Sequence, residues 1–330
     1  MSSPDTSLLK SHKAPPEGRS GSSHLLRTLR MLTSLDDIRS LRFWKAVMAE
    51  MVGVIFLVFV GCGSCTGWAA AEAPLNGSYR SDVSEELKNP SVVQIALSFG
   101  LIVATMVWCI GHVSGGHINP AVTAAMCVTR KISLARGFFY VIAQCAGAIL
   151  GAGVLKAVTP TPYSGSLGST IVSPLITPAQ GVGIEFLITF VLVLTVFASC
   201  DSRRTDLAGS APLTIGLSVT ACHLAAIRYT GSSMNPARSF GPPTIMGTWD
   251  HHWVYWLGPL AGGVVAGLIY DNVFAANSSW KKARACMLSS DYDDRKYEAA
   301  KTKIRIIDDD SSDLISEKKR LSDDSPESNV

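Results

Sequence analysis

The sequence predicts an all-α polytopic membrane protein with six transmembrane helices, two re-entrant half-helices and an inverted internal repeat. Of its 330 residues, 47% are hydrophobic and only 17% are charged, against about 25% charged in ordinary soluble domains. The charge is also segregated: residues 51–71, 89–129, 157–184 and 207–227 hold no Lys, Arg, Asp or Glu. Runs of roughly 20 apolar residues are what a helix needs to cross the hydrocarbon core. Finally, Asn-Pro-Ala occurs twice, at Asn119-Pro120-Ala121 and at Asn235-Pro236-Ala237, each time ahead of a stretch too short to span.

Residues 1–42 are rich in Ser, Pro, Lys and Arg and contain no apolar core of signal-peptide length. They read as a disordered cytoplasmic N-terminal arm. A membrane domain over 43–275 follows, with spans near 46–66, 92–111, 137–155, 181–200, 210–227 and 253–274. Each is long enough to cross with modest tilt. Residues 276–330 mix acidic runs such as Asp308-Asp309-Asp310 with Lys318-Lys319-Arg320 and read as a charged cytoplasmic tail with little fixed structure.

Basic residues set the orientation. With the amino terminus inside, the cytoplasmic flanks and loops collect Arg39, Arg42, Lys45, Arg130, Lys131, Arg136, Arg203, Arg204 and the basic residues after 280, whereas the outer connections hold fewer. Six spans return the carboxyl terminus to the cytoplasm, and Asn76-Gly77-Ser78 in the first outer loop has the form of a glycan acceptor. The formal net charge of +3 gives no footprint for nucleic acid. The cysteines lack zinc-type spacing, so the eight of them read as free packed thiols.

The repeat comprises residues 43–157 and 179–275. Glu50 and Glu185 each stand just inside a long apolar helix, and each half then carries its Asn-Pro-Ala. Three spans per half is an odd number, so the second half starts on the opposite side of the membrane and the halves are inverted. Asn is a strong N-cap and Pro suits the first helical position, so each pair announces a helix start. The flexible Ser114-Gly115-Gly116-His117 ahead of the first box is tolerable at membrane depth only if it lines a cavity or is buried in protein.

Two half-helices entering from opposite faces meet N-terminus to N-terminus near the midplane. Each N-terminus carries about half a positive charge, so the junction repels cations, hydronium included, while neutral dipoles pass. The Asn119 and Asn235 amides are placed to donate to a passing oxygen. The expected product is a passive pore for small neutral molecules.

At these residues the sequence resembles the aquaporin, or major intrinsic protein, family, and within it the water-selective animal members. The resemblance covers about residues 43–275 and rests on the two boxes in the contexts Ser114-Gly115-Gly116-His117-Ile118-Asn119-Pro120-Ala121 and Met234-Asn235-Pro236-Ala237-Arg238-Ser239-Phe240-Gly241-Pro242. It implies the aquaporin fold, a homotetramer with one pore per subunit, and an outer selectivity filter. Matched motif by motif, that filter falls on Phe99, His223, Ser232 and Arg238. It also implies that Glu50 and Glu185 are buried acids holding the re-entrant backbones. Alone, Phe99 reads as core packing, His223 as a structural histidine and Arg238 as a snorkelling interface residue; the constellation is what changes these readings. Ser239 and Tyr255-Trp256 also match the water channels, and His223 argues against polyols. Pro243 departs from the alanine usual there, which puts the end of the second half-helix in question.

Small-residue spacings at Gly147/Gly151 and Gly263/Gly267 permit close helix approach, and packing within one subunit is the simpler reading. Ser133 and Ser322 follow basic residues, as basophilic kinases prefer, and phosphate there would add about −1.5 to −2 charge. The terminal Ser328-Asn329-Val330 fits capture by a PDZ domain.

The membrane region has no clustered catalytic acids, metal ligands or nucleophile with base, so no catalytic residue, metal or cofactor is expected. The expected function is a water-selective channel, not an enzyme, whose partners are water and the bilayer and whose home is the plasma membrane. The alternatives are a broader neutral-solute pore for urea, glycerol or peroxide, and an adhesion or scaffold protein with a vestigial pore.

Overall fold

A computed structural model describes residues 35–67, 90–204, 206, 209–275, 278, 284–286 and 288–289. Among them the chain is wholly helical. A 3-10 turn, Leu35–Arg39, leads into α1, Leu41–Gly63. Then come α2, Val92–Ser114, the half-helix α3, Pro120–Val128, and α4, Leu134–Val158. The second half repeats the order with α5, Pro178–Ser199, α6, Ala211–Thr230, the half-helix α7, Pro236–Met246, and α8, Val254–Ile269, which widens into a π turn over Tyr270–Phe274. Six of these helices are long and apolar enough to span a membrane.

Several helices, among them α1, α4 and α5, start a few residues ahead of the apolar stretches because their caps lie in polar flanks. Ser40, Ser91, Ser133, Thr177 and Ser210 each accept a backbone N–H of the first turn, and Thr177 with Gln180 closes a full capping box. Consequently α1 begins at Leu41, inside the stretch assigned to a disordered arm. Residues 284–286 are likewise helical within the stretch assigned to an unstructured tail. Asn76, Ser322 and Ser328–Val330 lie outside the described residues.

Close crossings explain the small-residue spacings. Gly147 and Gly151 on α4 face the Met51 and Ile55 carbonyls of α1, while Gly262 on α8 faces the Phe186 carbonyl of α5. A side chain at any of these positions would collide with backbone. These contacts are internal to the subunit, as the simpler reading expected. Among the described residues none of the cysteines is joined in a disulfide. Pro242 and Pro243 lie within α7 without ending it. Lacking N–H groups, they leave the Arg238 and Ser239 carbonyls without ladder donors, and Gly247, with φ 76°, terminates the helix by donating to the Pro243 carbonyl.

Candidate functional site

Two buried carboxylates shape the loops ahead of the half-helices. On α1, Glu50 Oε1 accepts from Ser114 Oγ at 2.6 Å and His117 N at 2.9 Å, and its Oε2 accepts from Ile118 N at 2.6 Å and Gln144 Nε2 at 2.8 Å. On α5, Glu185 Oε1 accepts from Thr230 Oγ1 at 2.6 Å and Ser233 N at 2.9 Å, and its Oε2 accepts from Met234 N at 2.8 Å. Charge-assisted bonds of this kind are the strong ones. They hold Ile118 at φ 43° and Met234 at φ 53°, a region that non-glycine residues adopt only under constraint. Both acids are fully buried.

Past each constrained residue an asparagine caps the half-helix. Asn119 Oδ1 accepts from Ala121 N at 2.7 Å, and Asn235 Oδ1 accepts from Ala237 N at 3.0 Å and Arg238 N at 3.2 Å. Pro120 and Pro236 follow at the first helical position. Each carboxamide then crosses to the other half: Asn119 Nδ2 donates to the Met234 carbonyl and Asn235 Nδ2 to the Ile118 carbonyl, both at 2.8 Å. Each amide therefore commits one of its two hydrogens to protein and keeps the other for a passing oxygen. The half-helices meet as expected, their positive ends together.

A cavity of about 690 Å³ runs past this junction, from Lys131 and Cys200 at one end, between Asn119 and Asn235, to Phe99, His223 and Arg238 at the other. Phe99 and His223 stack with centroids 4.6 Å apart, and the Arg238 guanidinium carbon stands 4.6 Å from the Phe99 ring. His223 Nδ1 lies 3.0 Å from the Val219 carbonyl; since that oxygen only accepts, Nδ1 carries a proton. Arg238 Nη1 donates to the Gly168 carbonyl at 2.6 Å. His223 Nε2 and Arg238 Nε are buried without a protein partner, and both residues line the cavity. Ser232 differs from the other three matched positions. Its hydroxyl donates to the Cys222 carbonyl at 3.4 Å, and Ser233 and Met234 supply the cavity wall beside it.

The end with Lys131 is a charged cluster. Lys131 pairs with Asp271 at 3.3 Å and approaches the Phe197 ring at 5.7 Å, while Arg203 bonds Asp201, which also accepts from Tyr270 at 3.1 Å. Burial alone would raise the Asp201 pKa, but the Arg203 bonds outweigh it and hold the carboxyl below its usual range. Arg130 Nη1 donates to the Ser289 carbonyl at 2.7 Å, bringing the chain beyond α8 back to this face. Ser133 is the N-cap of α4, its hydroxyl accepting from Arg136 N at 3.2 Å.

Several residues that hold the site were not singled out from sequence. Gly168 supplies its carbonyl from an irregular segment that carries no motif. Tyr140 was not singled out, and Tyr255 was noted only as a family mark; they donate to the Ser114 and Thr230 carbonyls, both at 2.9 Å, and the repeat pairs them, since each stands seven residues before a crossing glycine, Gly147 or Gly262. Gln144 supports Glu50 alone; Pro259 stands at the corresponding place in the second half.

The family model for the major intrinsic protein matches residues 37–270. Aquaporin-4 of Mus musculus is 53% identical over 240 residues, covering 73% of this chain and 70% of that protein. Aquaporin-4 of Homo sapiens is 52% identical with the same coverage, and the lens fiber major intrinsic protein of Lithobates pipiens is 45% identical over 71% of this chain and 83% of its own. Among solved structures, the X-ray structure of the aquaglyceroporin from Plasmodium falciparum superposes with a TM-score of 0.60 at 21% identity, covering 70% of this chain and 97% of that one. That likeness bears on the fold.

Proposed function

Because the chain belongs to the major intrinsic protein family, we propose that it is a passive, water-selective channel that moves water down an osmotic gradient and excludes ions and protons. The observation that carries this reading is the contact of Phe99, His223 and Arg238 at one end of a cavity whose middle is the junction of two half-helix N-termini. Fixed donors and a positive field at Arg238 repel cations. In this reading the two rings and the guanidinium narrow that end of the cavity and favour water over a polyol. No bond is made or broken, so the protein is a channel and not an enzyme. Aquaporin-4 relatives at about half identity do not favour the broader solute pore or the scaffold reading.

Asn119-Pro120-Ala121 and Asn235-Pro236-Ala237 form the cation barrier in this reading. Phe99, His223, Arg238 and the backbone around Ser232 form the filter, and Glu50 and Glu185 are its structural anchors. The channel unit is 43–275, between cytoplasmic termini 1–42 and 276–330, and it sits in the plasma membrane as a homotetramer. Asn76 is a glycan acceptor, Ser133 and Ser322 are phosphorylation positions, and Ser328–Val330 binds a PDZ domain. The basic cluster at the Lys131 end supports the orientation, because basic loops stay inside.

The test is the swelling rate of proteoliposomes or oocytes under an osmotic step, for the native chain and for His223→Ala combined with Arg238→Val, each repeated with glycerol at matched channel number. Fast water flux without glycerol flux in the native chain, and glycerol admitted by the variant, is the expected result. A native chain that reaches the surface and conducts no water would sink the reading.

A further inference from the structure

Three buried hydroxyls link the segment that holds Arg238 to the box that precedes it. Thr170 Oγ1 donates to Ser239 Oγ at 2.8 Å, Ser239 Oγ donates to Ser233 Oγ at 2.6 Å, and Ser233 Oγ donates to the Asn235 carbonyl at 3.1 Å while accepting from Asn235 N at 3.2 Å. All three are at most 3% exposed, so each bond is made away from competing water.

The segment they reach is strained. Leu167 and Gly168 lie at φ 52° and 67° in succession, and a leucine in that region persists only where its surroundings impose it. Leu167 is fully buried, and its N–H donates to the Ser164 carbonyl at 2.8 Å. Beyond Gly168, Ser169 Oγ accepts from Thr248 Oγ1 at 3.0 Å. The Gly168 carbonyl therefore sits two residues from the Thr170 tie, and it is the acceptor that orients Arg238 Nη1 at 2.6 Å. With Nε unpartnered, this carbonyl and the face of the Phe99 ring are what place the guanidinium.

We propose that Thr170 and Ser239 are positioning residues for Arg238: their hydroxyl bond clamps the 167–170 segment onto α7 and so sets which solutes pass. The proposal rests on the water-channel reading and deepens it. Cutting the bond lets the Gly168 carbonyl move away, frees the guanidinium and widens the filter without removing any group that lines it.

The experiment compares the full chain with Thr170→Val, which keeps the shape and loses the hydroxyl, with Ser239→Ala, with both together, and with the conservative Thr170→Ser. Water and glycerol permeabilities are measured in proteoliposomes at known channel number, and the ratio of glycerol to water is the readout. Thr170→Val and Ser239→Ala are each expected to raise the ratio about fivefold, the scale of one lost hydrogen bond. The pair together should exceed neither single change, because one chain is cut either way, and Thr170→Ser should keep the native ratio. A merely structural role would lower the number of folded channels and leave the ratio alone. If either variant fails to fold, the other carries the test. Native ratios in a folded variant lacking the bond overturn the positioning role while the water-channel reading stands. A native chain that conducts no water overturns both.

Discussion

Asn119 and Asn235 each cap their own half-helix and hydrogen-bond the loop of the other, through the Met234 and Ile118 carbonyls at 2.8 Å. The junction is therefore a reciprocal lock. Two positive helix ends that would repel are held together by side chains that also satisfy the loops' carbonyls. The remaining amide hydrogens are donors at the point where the field of the helices is strongest.

Replacing Asn235 by Ala removes a cap and a cross-link at once. Cap loss costs about 0.5–2 kcal/mol and the cross bond about 0.5–1.5 kcal/mol. Thermal unfolding in detergent should come earlier than in the native chain, with Asn119→Ala behaving alike by the symmetry of the lock, and water permeability per channel should fall in both.

Exchanging a buried carboxylate for its amide turns an NH2 donor toward groups that are themselves donors. Glu50 receives four donors and Glu185 three, and each buried donor left unmatched costs roughly 1–3 kcal/mol. Glu50→Gln and Glu185→Gln should both lose surface expression and thermal stability, Glu50→Gln the more, because Gln144 Nε2 also loses its charged partner. Equal stability to the native chain would contradict the anchoring role.

The helix crossings separate glycines by environment. Gly147 faces the Met51 carbonyl, whereas nothing lies within 4 Å of a side chain built on Gly183. Gly147→Ala should destabilise by about 1–3 kcal/mol through overpacking. Gly183→Ala, in the open, should be neutral or stabilising by up to about 1 kcal/mol. Denaturation midpoints of the two variants decide.

Acid should loosen the face that carries Trp249 and Trp256. His252 Nε2 accepts from Trp256 Nε1 at 3.2 Å, which takes the neutral ring, and burial holds the His252 pKa below its ordinary value. The unfolded chain, titrating near about 6.5, takes up the proton first, so this contribution to stability is complete above that pH and declines as pH falls toward the folded pKa. The neighbours Asp250 and His251 are exposed. Melting temperature should fall between about pH 7.5 and pH 5.5, and His252→Gln should flatten that slope.

The parts of this molecule that were readable in sequence are those in which local chemistry repeats. Asn-Pro announces a helix start wherever it stands, and two copies in halves of odd span number force the inverted plan. Glu50 and Glu185 were visible as isolated acids in apolar helices, and Phe99, His223 and Arg238, which the resemblance picks out, stand in contact. The partners that fix them were not visible. Gly168 contributes a carbonyl, which no residue type reveals, and Thr170 and Ser239 are 69 positions apart. Ser232 shows the limit from the other side: the motif gave its place, but its hydroxyl follows the local backbone to Cys222. The starts of α1, α4 and α5 lie outside the apolar run for a related reason, since hydropathy marks the apolar run and a capping Ser or Thr marks the helix.

Each half-helix leans on a span from the opposite half. A side chain at Gly263 on α8 would come within 3.0 Å of the Ala121 carbonyl on α3, and one at Gly241 on α7 would collide with Ala148 on α4. The carboxylate anchors, by contrast, stay within their own halves. During synthesis, then, α3 can be drawn into its loop by Glu50 as soon as α4 has emerged, yet the wall it rests on is the last span to be made. At typical elongation rates that interval is on the order of ten seconds. For that time α3 lacks the contact with α8 at Gly263 that backs it in the finished fold.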